Sequence, residues 1–105
     1  MSEVVVVAEI GIASGKREEA LAALQQLCEA THAKDEGCLL YALQLDPADE
    51  SHVFMIEKWA SADALQAHMT TDHIAAVGAS GTLSGPPQVT VLQQAGVGDA
   101  SKGSL

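Results

Sequence analysis

Residues 53–74, VFMIEKWASADALQAHMTTDHI, read as a buried strand, a tight turn and a short helix. Val53 and Met55 fall on one face of the strand, Phe54 and Ile56 on the other, so both faces are apolar. The pattern breaks at Ala60-Ser61. Ser61 is a good N-cap for a helix from Ala62, and Asp63 sits in its first turn, at the positive end of the dipole. Leu65 and Met69 make the apolar stripe of that helix, with His68 on its flank. A second short helix is expected near Asp72, carrying Ile74, Ala75 and Val77. This stretch holds the only Trp (Trp59), the only Phe (Phe54) and two of the four His (His68, His73), so any site is expected to be built around it.

Working outward, Cys38–Leu45 is a strand with apolar residues on both parities, Leu39, Tyr41, Leu43 and Leu45 against Cys38, Leu40 and Ala42. Asp46-Pro47-Ala48-Asp49 is a turn, and the short link makes Cys38–Leu45 and His52–Trp59 a hairpin. Val4–Ile12 is a further strand, rich in Val and Ile. After the Ser14-Gly15 break, Lys16–Lys34 reads as a helix with Leu21, Leu24, Cys28 and Thr31 at helical spacing and Leu27 beside them. Glu18 and Glu19 suit its first turn, His32 and Lys34 its last, and Gly37 ends the segment as a turn glycine after Asp35-Glu36. His32 reads as an exposed capping residue and His52 as a surface one. GASGTLSGPP, residues 78–87, is a loop, Gln88–Gln94 a last strand, and residues 96–105 a tail expected to be disordered behind a single domain spanning 1–95.

The order β-α-β-β-α-β is that of an α+β, ferredoxin-like domain: a four-stranded antiparallel sheet with helices on one face. A sheet with one wet face alternates apolar and polar residues, and the two hairpin strands do not. Their second face needs a cover, and no helix is left to supply it. A second copy packed sheet to sheet is the economical solution.

Composition narrows the partners. With 14 acids against 5 bases the formal net charge is −9 and no basic run exists, which argues against nucleic acid or an anionic membrane surface. The longest apolar run, Val4–Ala8, is far too short to span a bilayer, and Met1-Ser2-Glu3 lacks the positive start of a secretory signal; a cytoplasmic protein is expected. Cys28 and Cys38 lack zinc spacing and read as two buried thiols. There is no glycine fingerprint or P-loop. His68 and His73 are five apart, a separation at which one helix cannot aim both at one metal.

The run GKREEALAALQQL followed by EGCLLYALQLDPADESHVFMIEKWASADALQAHMTTDHI resembles the antibiotic biosynthesis monooxygenase domain family, and most closely its small quinol-monooxygenase-like members. The resemblance covers about residues 4–93. Its most specific piece is E-x-W-x-S ahead of A-H-x-x-x-x-H, here Glu57, Trp59, Ser61, His68 and His73; the family often has Pro before the second His, where this chain has Asp72. It implies a dimeric α+β barrel, two sheets face to face, and oxidation of a quinol-like or polyphenolic molecule by O₂ as co-substrate, with no metal or flavin.

That chemistry needs an apolar ring site and a base near neutrality, which His68 suits best. Trp59 would wall the ring or donate its indole N–H. His73 joins them as a catalytic candidate, with Tyr41, Glu57, Met55 and Met69 as substrate-binding ones. The plain readings stand beside these: Trp59, Met55 and Met69 as core packing, His68 as a buried or half-buried helix residue, His73 as a helix-entry residue, capping or surface, Glu57 paired with a Lys or a backbone N–H. Two other functions fit as well, an isomerase or carbon–carbon lyase acting on a small polar metabolite (as in the autoinducer-2-processing branch of the family) and a non-catalytic dimeric binding protein. A pocket lined by carboxylate and His favours the isomerase; an apolar pocket favours the oxidation.

Overall fold

The computed structural model describes residues 2–105. Seven elements follow one another: β1 (Val4–Gly11), α1 (Arg17–Lys34), β2 (Cys38–Leu45), β3 (His52–Trp59), α2 (Ala62–Met69), α3 (Asp72–Gly78) and β4 (Gln88–Leu92). The four strands form one antiparallel sheet in the order β2-β3-β1-β4, with the helices on one face: the ferredoxin-like α+β arrangement. Three boundaries fall short of the sequence reading. β1 stops at Gly11, because Ile12 leaves the ladder to bridge Leu83; α1 begins one residue after Lys16, which is its N-cap; β4 ends at Leu92. No helix among the described residues is long and apolar enough to cross a membrane.

The strand period divides the sheet into two faces. Toward the helices point Val6, Ala8 and Ile10 of β1 and Val53, Met55, Glu57 and Trp59 of β3, all buried. Helix α1 closes over them with Ala20, Leu24, Leu27 and Thr31, so its buried stripe lies one step round from the expected Leu21-Leu24-Cys28 line. Leu21 and Cys28 sit on its flanks, packed but partly exposed. On the opposite face the register puts Val7 and Phe54, Ile56, Leu40 and Ala42 together, with Leu92 of β4 46% exposed at the margin. These residues make an apolar patch at the middle of that face, with Glu9, Lys58, Gln44, Gln88 and Thr90 around it, and no helix among the described residues covers it. Strand β4 is exposed along its whole length and pairs with β1 alone.

The corners hold α2 and α3 against the sheet. Gly37 adopts φ 82°, a conformation glycine tolerates without strain, and an added Cβ there would come within 2.7 Å of Ala64 on α2. Its carbonyl accepts from the Ala60 N–H at 2.8 Å. The α1–β2 corner is thereby pressed against the start of α2. Ser61 caps α2 as expected, through Ala64 N–H to Oγ at 3.1 Å, and Thr71 caps α3 while donating its hydroxyl to the His68 carbonyl at 2.8 Å. Loop 78–87 is tied to the far end of β1 by Ser84 N–H to Gly11 O at 2.9 Å and Ala13 N–H to Thr82 O at 2.9 Å. After β4 no helix or strand follows; Asp99 Oδ1 gathers the N–H groups of Ser101 and Lys102 into a turn, and the Leu105 carbonyl accepts from Lys58 Nζ at 2.8 Å.

Candidate functional site

Between the sheet and the helices lies a cavity of about 300 Å³. Its floor is the sheet, through Ala8, Ile10, Met55 and Val89; its roof is α1, through Leu24 and Leu27. The end of α2 and α3 close one side with Met69, Ile74 and Val77, and Gly78, Leu83, Pro86 and Pro87 form the rim. Loop 78–87 therefore stands at the mouth, as its composition and position suggest. Against this apolar wall stand three polar side chains, Tyr41, Glu57 and His68, and no Lys or Arg lines the cavity.

Alternation along β3 brings Glu57 and Trp59 side by side on the helix-facing surface, and the Trp59 Nε1–H donates to Glu57 Oε1 at 2.9 Å. Glu57 thus pairs with the indole, not with a Lys or a backbone N–H. Burial pushes its carboxyl up to about 7, with the indole hydrogen bond pulling the other way, so near neutral pH it exchanges between acid and carboxylate. Burial likewise raises the Tyr41 hydroxyl well above the ordinary phenol range, with the Glu57 charge adding to it, so it stays protonated. Trp59 is fully buried and does not line the cavity. It backs the site instead: its ring centroid lies 4.6 Å from that of His68 and 6.1 Å from that of Tyr41, and Tyr41 lies 5.0 Å from His68. Burying an indole of this kind is worth roughly 4–6 kcal/mol by area, which sets a stiff platform under the imidazole.

His68 lies within the buried stripe of α2 and not on its flank. On the eight-residue α2 it is the one buried residue, whereas Met69 is 45% exposed at the cavity edge. The stripe of α2 therefore runs through Leu65 and His68. An imidazole can occupy that position because its polar side is paired: His68 Nδ1 lies 2.5 Å from Asp35 Oδ2. His73 reaches the same carboxylate from α3, with Nε2 3.0 Å from each oxygen. One helix could not aim both imidazoles at one point, but α2 and α3 meet at the Thr71 corner and together they do. Burial lowers the His68 pKa and the Asp35 contact partly restores it. Burial alone would raise Asp35; the two histidine hydrogen bonds outweigh that and hold its carboxyl below the ordinary range. At neutral pH the consistent state is a charged Asp35 accepting from a neutral His68, Nδ1–H inward and Nε2 free.

Asp35, His68 and His73 each bring one donor atom within 4.8 Å of the others, the spacing of a possible metal group. The distances fit a metal poorly. Two ligands of a tetrahedral zinc stand about 3.3 Å apart, given Zn–N bonds of about 2.0 Å, and the His68–Asp35 contact of 2.5 Å is a hydrogen bond. Of the other candidates, Met55 is 1% exposed on the cavity floor. His32 is exposed and its Nε2 meets the Tyr41 carbonyl at 2.8 Å; His52 sits at the surface between Asp46 and Glu9. Neither belongs to the cavity. The sequence reading missed Asp35, taken there only as part of a turn.

A buried His–Glu pair in an apolar cavity on this fold is what comparison with known proteins bears on. The sequence profile described as antibiotic biosynthesis monooxygenase matches residues 3–79, most of the chain, and the protein belongs to that family. Among solved structures it is similar to a Caulobacter crescentus protein provisionally called an antibiotic biosynthesis monooxygenase, with 31% identity over 88% of this chain and 89% of that one and a TM-score of 0.81. It is also similar to a Pseudomonas aeruginosa protein whose name states no activity (27%, 89% and 94%, TM-score 0.80) and to another structure named an antibiotic biosynthesis monooxygenase (25%, 86% and 96%, TM-score 0.77). No curated protein matches the chain.

Proposed function

We propose that this protein is a monooxygenase that uses O₂ without a metal or flavin, and that its substrate is an uncharged phenol or hydroquinone of one or two rings. The observation that carries the reading is the cavity: about 300 Å³, walled by aliphatic side chains, with a neutral imidazole and a carboxyl titrating near neutrality facing the same space. The absence of any lining cation makes it a poor site for a carboxylate or phosphate, and its aliphatic walls would strand the hydroxyls of a sugar-like metabolite. These two features favour oxidation over the isomerase or lyase reading, which the His–Glu pair alone would also suit.

Phenols react slowly with triplet O₂, whereas a phenolate gives up an electron readily. His68 takes the phenolic proton at Nε2, and the phenolate passes one electron to O₂. The two radicals join as a C–O bond at a ring C–H position, and the ring peroxide recovers the proton from His68. When the O–O bond breaks, the departing hydroxide takes the proton of Glu57 and leaves as water, and the ring C–H proton replaces it on Glu57. One oxygen atom stays on the ring. For a hydroquinone the balance is hydroquinone plus O₂ to hydroxyquinone plus water, with no outside reductant. Tyr41, held protonated, is placed to donate to a substrate oxygen.

The open sheet face belongs to the same reading. Its unpartnered apolar residues support a homodimer in which two sheets stack, as the family resemblance implies.

Oxygen uptake by metal-free protein against hydroquinones, naphthols and small sugars tests the activity. Turnover of a phenol, with His68→Ala lowering kcat/KM by about 10²-fold or more, is the expected result. Intact kcat/KM in His68→Ala removes the base assignment. Tight binding of a phenol without uptake leaves a binding protein, and turnover of a sugar without uptake an isomerase.

A further inference from the structure

Asp35 lies 33 residues before His68 in sequence, in a corner with its own reasons for existing. It is the C-cap of α1: its N–H bonds the Thr31 carbonyl at 3.1 Å and its carbonyl accepts from Cys38 N–H at 3.3 Å. Two residues on, Gly37 at positive φ packs under Ala64 and fixes the corner against α2. The Asp35 side chain, 6% exposed, is thereby delivered beneath the last turn of α2. There it meets His68 Nδ1 on one side and His73 Nε2 on the other. With His73 straddling both oxygens, the carboxylate cannot turn away from His68 without losing a second, half-buried partner.

From this geometry we infer that Asp35 is a positioning residue for His68, one that commits the imidazole to the Nδ1–H tautomer so that the lone pair of Nε2 faces the cavity. An imidazole has one proton to place when neutral. A charged carboxylate 2.5 Å from Nδ1 can only accept, so the proton goes there. Without that carboxylate either nitrogen can carry it, and the Nε2–H form presents the substrate with a donor where a base is needed. The assignment rests on the reading of His68 as the base, and it deepens it: the base is selected by a residue that touches no substrate. Asp35 also stabilises the imidazolium as His68 charges. The groups facing His68 are Asp35 from the end of α1, His73 from α3, and Tyr41 and Glu57 across the cavity from β2 and β3. Asp35 is the one that favours the charged form by direct contact; protonated His73 opposes it.

Nitrogen NMR of the imidazoles in resting wild-type protein reads the tautomer without any substrate. The inference expects His68 with its proton on Nδ1 and Nε2 bare; a proton on Nε2 overturns it, whether or not an oxidation is ever found. On a phenol the wild type turns over, Asp35→Asn should lower kcat by about 10²- to 10⁴-fold, as misplacing an imidazole proton does elsewhere. KM should change little, and the acid limb of the kcat/KM profile should move to lower pH. Asp35→Glu, which keeps an accepting carboxylate, should recover part of the loss. An Asp35→Asn enzyme with wild-type kcat and an unmoved acid limb overturns the inference. A variant that loses folding sends the decision back to the wild-type spectrum and to Asp35→Glu, whose acid limb must then match the wild type. If no phenol is turned over, the proposed activity fails while the spectrum still decides the role of Asp35.

Discussion

Glu57→Gln is expected to stabilise this protein at alkaline pH while damaging its chemistry. Glu57 is 5% exposed, its carboxyl faces an apolar cavity, and among the described residues it has one partner, the Trp59 indole N–H. Its pKa moves from an ordinary 4.5 to about 7 on folding, because burial penalises the carboxylate. Between those values the folded protein holds a proton that the unfolded chain has lost, so stability falls as pH rises and stays low above about 7. At 1.36 kcal/mol for each pKa unit, the full cost at pH 8 is on the order of 3 kcal/mol. Glutamine keeps the acceptor for the indole N–H and never ionises. Wild type and variant should therefore match near pH 5, and the variant should lead at pH 8. In a domain of this size 1 kcal/mol shifts Tm by about 4–8 °C, so a lead on the order of 10 °C is expected. Calorimetry from pH 5 to pH 8.5 measures it. A Tm difference independent of pH, or a wild type that gains on the variant as pH rises, refutes the assignment of Glu57 as a buried, strained carboxyl. The same variant should lose turnover at every pH, because the amide cannot supply a proton.

Thr31 is wholly buried on α1 and its Oγ1 has no hydrogen-bond partner among the described residues, so Thr31→Val should add about 1 kcal/mol; a clear loss of stability in urea unfolding would refute that. Light scattering at low micromolar concentration should find twice the chain mass of 10.8 kDa, and a clean monomer would defeat the proposal that the open sheet face is covered by a second copy. Purified protein should be colourless and metal-free; stoichiometric flavin, haem or zinc would contradict both the proposed chemistry and the hydrogen-bonded reading of Asp35, His68 and His73. Trp59→Phe removes the one hydrogen bond Glu57 makes among the described residues and should move the carboxyl further up, so that the fall in stability continues to higher pH; an unchanged pH dependence would mean the indole bond contributes nothing.

The order and type of the elements were legible because the runs were long: eight residues of strand composition in β3 bounded by turn residues, eighteen of helical spacing in α1. The double-sided apolar strands announced an uncovered face for the same reason. What failed was local and short. An eight-residue helix shows barely two turns, so Leu65 and Met69 seemed to define its stripe, while burial of His68 depended on a carboxylate 33 residues away. Trp59 looked like a wall of the site because it was the lone Trp; its position at the strand end, under α2, puts it behind His68. One signal for Asp35 was present in the sequence. An acid at the C-terminal end of a helix opposes the dipole, and such a residue invites the question of what positive or donating group offsets it.

The pairing of β1 with β4 has a consequence for the chain while it is being made. β1 holds the run Val4-Val5-Val6-Val7 at the middle of the sheet, and one of its edges is satisfied by β3. The other waits for residues 88–92, so that Val7 meets Thr90 across roughly eighty intervening residues. At a synthesis rate of about 5–20 residues per second, the most β-prone segment of the protein emerges on the order of ten seconds before its last partner exists. During that interval its free edge is a template for any other extended chain. A chain cut short before Gln88 never passes out of that interval: it would keep its helices and three strands, and it would carry the bare valine edge for as long as it lasts.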